Sequence, residues 1–133
     1  MDLTSHQPVD TQDDHIAKEV VDAAYCVHRE LGPGLLESVY ETCLARELSL
    51  RGISSERQIA CPIVYRGSPI NDALRLDMLV AGRIVVELKA VDKLLPVHEA
   101  QLLTYLKLTG KRLGFLINFN VPVLKQGIRR RVV

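Results

Sequence analysis

The chain has no tryptophan, two phenylalanines and four tyrosines, so aromatic residues make up only 5% of its 133 residues. Sequence-specific recognition of single strands by stacking bases on rings is therefore not supported. Its three cysteines, Cys26, Cys43 and Cys61, are odd in number, widely spaced and never form a C-x-x-C pair. That argues against a disulfide scaffold, a zinc ribbon or an iron–sulfur cluster, and leaves a reducing, cytoplasmic setting as the expectation. An excess of charge is missing too, because 17 Lys and Arg against 16 Asp and Glu give a formal net charge of +1. Any hold on nucleic acid must come from local clusters rather than from the field of the whole protein. No apolar run reaches the ~18 residues of a membrane span, and residues 1–13, polar and acidic, do not resemble an export signal. They read as a disordered leader to a protein that is soluble and free of membrane.

What is present is aliphatic: hydrophobic residues make up 47% of the chain, enough for one self-supporting domain over residues 14–133. From Asp14, the residues Ile16, Val20, Ala23, Ala24, Val27 and Leu31 recur at helical spacing until Gly32-Pro33-Gly34 stops them. A second helix is expected from Leu35 to Arg51, burying Leu36, Val39, Tyr40, Cys43, Leu44 and Leu48 and stopping at Gly52. Extended segments follow at Glu56 to Tyr65, Ala73 to Val80 and Arg83 to Ala90, with Arg66-Gly67-Ser68-Pro69 as the first turn. A helix from His98 to Thr109, a strand from Arg112 to Phe119 and an edge strand within Val123 to Val133 complete the order ααβββαββ. This predicts an α/β domain with a mixed sheet flanked by helices.

Inside the apolar run from Ile84 to Ala90 stands Glu87-Leu88-Lys89, ten residues after Asp77. Strand alternation puts Glu87 and Lys89 on one face, and an odd-numbered hairpin loop adds Asp77 to it. Val80-Ala81-Gly82 fits such a loop, whereas a two-residue Ala81-Gly82 loop would separate the two acids. Two carboxylates beside an ammonium are equipment for a divalent cation and for phosphodiester hydrolysis, although a merely solvated sheet face would carry the same charges. Glu37 opens the second helix, where the helix dipole alone could account for it. Tyr40 reads as core packing with a satisfied hydroxyl, and His98 as a surface or helix-start histidine. Gln101 and Tyr105 join His98 in a polar stripe that could face a site or solvent.

Together these pieces resemble the PD-(D/E)XK nuclease superfamily: Asp77 as first acid, Glu87-Leu88-Lys89 as E-x-K, and Gln101 to Tyr105 as Q-x-x-x-Y. Leu76 stands where the motif's proline would be. Gly34-x-x-Glu37-x-x-Tyr40, Val86 to Ala90, His98 to Gln101 and Leu116 to Asn120 further resemble a small group called the GxxExxY protein family. The resemblance implies a restriction-endonuclease-like three-layer domain. It also implies that Asp77, Glu87, the Leu88 carbonyl and Glu37 hold Mg²⁺ or Mn²⁺, that Lys89 assists hydrolysis, and that Gln101 and Tyr105 position water, lysine or phosphate.

The leading functional expectation is a metal-dependent nuclease acting on DNA in repair or defence. The alternatives are a silent nuclease-like module that binds nucleic acid or a protein partner, and a structural protein in which the acids and lysine form an ion network. A homodimer would let a one-strand cutter sever a duplex. Lys125, Arg129, Arg130 and Arg131, joined by Lys107, Lys111 and Arg112, are the densest basic group, fit either to track phosphates or to guard a sheet edge.

Overall fold

Asp10 accepts hydrogen bonds from the backbone N–H groups of Gln12 (2.7 Å) and Asp13 (3.4 Å), so the first helix starts at Thr11, three residues before the expected Asp14. The computed structural model describes residues 9–133, and residues 1–8 of the expected leader lie outside the described residues. The elements are α1 (Thr11–Leu31), α2 (Glu37–Leu50), β1 (Ser55–Tyr65), β2 (Ser68–Val80), β3 (Ile84–Lys89), α3 (Pro96–Thr109), β4 (Leu113–Asn118) and β5 (Ile128–Val132). A short 3₁₀ turn, Leu124–Gly127, precedes β5. The order matches the expected ααβββαββ.

The five strands lie in sequence order, antiparallel except for the parallel pair β3–β4 that α3 connects. Helices α1 and α2 cover one face, burying Ala17, Val20, Ala24, Tyr40 and Leu44 against Val86, Leu88, Phe115 and Ile117. Helix α3 covers the other face, where Leu102 and Leu106 meet Val85 and Leu116. The expected three layers are present, with β3 enclosed on both sides.

Helix α2 departs from the expected buried set. It begins at Glu37, which leaves Leu36 outside the helix and 74% exposed, and Val39 turns partly to water as well. Tyr40, Leu44 and Leu48, spaced by four, set the buried stripe, and Glu41 joins them at 7% exposure. Apolar periodicity alone does not reveal where the first turn begins.

β2 is also longer than expected, because the turn before it is only Arg66-Gly67 and Tyr65 already pairs with Ser68. Pro69 is tolerated where β2 has no neighbour on its other side, since β2 pairs with β3 only over Met78–Val80. The β1–β2 ribbon therefore projects as an arm beyond β3.

Candidate active site

The β2–β3 loop is Ala81, Gly82 and Arg83, because Val80 pairs with Ile84 and the Arg83 N–H donates to the Val80 carbonyl at 2.9 Å. Val80 belongs to the strand and Arg83 replaces it in the loop, but the odd count stands. The registers Val80↔Ile84 and Met78↔Val86 bring Asp77 opposite Glu87. The strand does not run straight through that point. Leu74, Leu76, Met78 and Val80 alternate along β2, yet the first two pack under α3 and the last two under α1 and α2. β2 turns over at Asp77, and β1 turns with it at Gln58, whose φ of 52° is left-handed.

At this bend the two acids take over from the ladder. Asp77 Oδ2 accepts the Leu88 N–H at 2.8 Å, and Glu87 Oε2 accepts the Asp77 N–H at 2.9 Å. Each carboxylate is thereby fixed by the other's strand, with its second oxygen outside the exchange. Burial is the main cost of this arrangement: it pushes Glu87 up to about 8, and repulsion from Asp77 adds to the shift. Burial likewise raises Asp77, and raises Glu37 with help from the Asp77 charge. Lys89 opposes all three shifts through space, without a direct ion pair among the described residues.

Glu37 reaches this group because the α1–α2 connection is tied down from inside. Tyr40 Oη donates to the Gly32 carbonyl at 2.6 Å and accepts the Leu35 N–H at 3.1 Å, while its fully buried ring stacks on Phe119 at 4.6 Å. Gly34 has a φ of 101°, which side chains rarely tolerate. The spacing Gly34-x-x-Glu37-x-x-Tyr40 is thus a turn, an acid and the hydroxyl that fastens the turn. Tyr40 is core packing with a satisfied hydroxyl, as the sequence suggested.

Helix α3 can approach from the opposite face because Gly114 has no side chain. A Cβ there would stand 2.8 Å from Leu102 Cδ1 and 3.1 Å from the Val85 carbonyl. Gln101 Nε2 donates to Tyr105 Oη at 2.9 Å, and Tyr105 is raised by burial and by the nearby Glu87 charge. Both residues, with Lys89, His98 and Thr104, line an open cavity of about 510 Å³. The polar stripe faces the site. His98 serves the helix start as well, its Nδ1 accepting the Leu95 N–H at 3.0 Å.

Three residues not singled out from sequence, Glu41, Gln58 and Asn118, complete the surroundings. Glu41, one turn after Glu37, is held by Arg57 Nε at 2.9 Å and Gln58 Nε2 at 2.7 Å. The i, i+4 spacing of the two glutamates was the signal for it. Asn118, the β4 partner of Lys89, accepts the Val91 N–H at 3.1 Å and donates to the Val91 carbonyl at 2.9 Å through its side chain, pinning the chain just beyond Lys89.

Among the described residues no three His, Cys, Asp or Glu side chains converge closely enough to hold a metal ion unaided. The donors nonetheless suit a hard divalent cation, since Asp77 and Glu87 are carboxylates that burial and repulsion leave short of positive charge. Backbone oxygen or water would have to finish the shell.

The basic group near the C-terminus is largely spent on the fold. Arg130 pairs with Asp14 of α1 at 3.1 Å, and Arg131 pairs with Glu99 of α3. Arg112 Nε and Arg129 Nη1 donate to backbone carbonyls. These contacts tie the edge strand β5 to both helical layers. No helix of the described residues is long and apolar enough to cross a membrane.

A family model for the PD-(D/E)XK nuclease superfamily matches residues 14–131, and the chain belongs to that superfamily. Nucleases of this superfamily generally depend on a divalent metal. No curated protein and no solved structure matches the chain.

Proposed function

We propose, with that membership as the premise, that this chain is a Mg²⁺- or Mn²⁺-dependent nuclease that hydrolyses phosphodiester bonds of DNA. We place it in the GxxExxY group on Gly34, Glu37 and Tyr40, and in the cytoplasm. The observation that carries the reading is the exchange between Asp77 and Glu87, which holds two buried acids on adjacent strands beside Lys89.

Asp77 and Glu87 would hold the ion, with the Leu88 carbonyl as a further donor and Glu37 contributing through a bound water. When bound, a divalent ion supplies Lewis acidity and neutralises charge at the scissile phosphate. Lys89 orients the attacking water and stabilises the charge that gathers on the phosphoryl oxygens. Its position on the cavity wall with Gln101 and Tyr105 supports that role. Tyr105, already accepting from Gln101, keeps its own proton to donate to a phosphate oxygen or to the water. Water adds to phosphorus as the P–O bond breaks, and the departing oxygen gains a proton.

A catalytically silent module binding nucleic acid or a protein partner is the second reading. It is favoured by the inward hydrogen bonds of both carboxylates and by the lack, among the described residues, of a third acid placed to share a metal ion with them. Incubation with linear and circular DNA, single- and double-stranded, and with RNA, each with Mg²⁺, Mn²⁺ or chelator, separates the two. Ion-dependent DNA cleavage supports the nuclease; binding without cleavage in every condition supports the module.

A further inference from the structure

Among the described residues, Gln58 is the one site neighbour with a left-handed backbone that is not explained by a tight turn. Its φ of 52° falls in mid-strand, where Gly or Asn would be easier, and its carbonyl is held there by Arg75 Nη1 at 2.9 Å. This twist delivers the side-chain amide into the space between two acids. Nε2 donates to Glu41 Oε1 at 2.7 Å and lies 3.5 Å from Asp77 Oδ1. The assignment of nitrogen is unambiguous, because the reverse orientation would set the amide oxygen against a carboxylate. Glu41 is itself fixed at its other oxygen by Arg57, whose Nη2 also donates to Thr42 Oγ1 at 2.8 Å. The amide is thus held from behind by α2 and aimed at β2.

We propose that Gln58 is a positioning residue: the Glu41–Gln58 pair orients Asp77 so that Oδ1 is presented for a divalent cation. Asp77 Oδ2 is already committed to the Leu88 N–H, so Gln58 governs the oxygen that remains. The amide supplies no charge and does not act as a ligand. Glu41 lends it direction, and its negative charge adds to the acidity around the ion. The inference rests on the metal-dependent nuclease reading.

The test compares Gln58→Gly and Gln58→Asn with wild type. Glycine accepts the left-handed backbone without strain and removes the amide; asparagine also accepts it but withdraws the amide by one methylene. Neither should unfold the chain, and thermal denaturation in chelator checks this. Titration calorimetry with Mn²⁺ should show roughly tenfold weaker binding for both variants, a difference of about 1.4 kcal/mol. Steady-state cleavage should show kcat down by a comparable factor at subsaturating ion, with KM for DNA unchanged. Wild-type Mn²⁺ affinity and kcat in both variants, given a wild type that binds and cleaves, would overturn the role of Gln58 alone. Failure of wild type to bind any divalent ion would overturn the underlying reading and this inference with it.

Discussion

Asp77 and Glu87 sit opposite each other at the point where β2 leaves β3, and each accepts a backbone N–H from the other's strand, at 2.8 and 2.9 Å. The ladder is closed there by side chains rather than by carbonyls. This arrangement sets the acids rigidly where burial and mutual repulsion keep a proton on Glu87 up to about pH 8, a proton that a cation would displace.

Stability without metal should depend on pH. Glu87 is raised from an ordinary value near 4.5 to about 8, and Asp77 and Glu37 are raised too. A carboxyl whose folded value lies above its unfolded one favours the fold when protonated; that advantage is complete below about pH 4.5 and fades as pH climbs towards 8. Thermal denaturation in chelator should therefore give a Tm that falls from pH 5 to pH 8, at on the order of 4 °C per kcal/mol lost. Glu87→Gln should flatten the slope and raise Tm at pH 8. An equally stable wild type at both pH values would contradict this.

Divalent ions should reverse the trend. At about 100 times its dissociation constant, Mn²⁺ should stabilise the fold by about 2.7 kcal/mol. Affinity should rise with pH towards 8, because the carboxyls must shed their protons to bind. Asp77→Asn should abolish the ion-induced shift in Tm, and scanning fluorimetry with and without Mn²⁺ reads it directly.

Tyr40→Phe should weaken both fold and function. The lost hydroxyl leaves the Gly32 carbonyl and the Leu35 N–H without their partner, at about 1–3 kcal/mol in urea unfolding. With the turn loosened, Glu37 drifts, and cleavage should fall even where the protein stays folded. Unchanged cleavage in a destabilised variant would mean that Glu37 has no part in the site.

Arg130→Ala and Arg131→Ala should act on stability rather than on substrate. Their partially exposed pairs with Asp14 and Glu99 are worth at most about 1 kcal/mol each. Nucleic-acid affinity should change less than threefold, and the dependence of log Kd on log salt should keep its slope. A slope reduced by roughly one per arginine would show that they grip phosphates after all.

The placement of Asp77 opposite Glu87 was legible because strand alternation and loop parity are local rules. Glu87, Lys89 and Asp77 needed only the spacing between them and an odd loop, and Gln101 with Tyr105 needed only one helical turn. Glu41 and Gln58 were hidden for the opposite reason. A buried glutamate on α2 is stable only with donors that the β1 bend supplies, and nothing in Arg57-Gln58-Ile59 announces a left-handed residue. Leu36 was assigned to the core because periodicity counts apolar residues without locating the helix start. The ion pairs of the β5 arginines were not legible, since their density is local while their acidic partners lie 116 and 32 residues away.

The most direct test is single-turnover cleavage of linear DNA by wild type, Glu87→Gln and Lys89→Ala, prepared identically and assayed over a Mn²⁺ titration with a chelator control. Wild type should cleave only with the ion, and both variants should lose a factor on the order of 10²–10³ at saturating ion. Equal cleavage by all three preparations, or none by wild type at any ion concentration, would contradict catalysis at Asp77, Glu87 and Lys89.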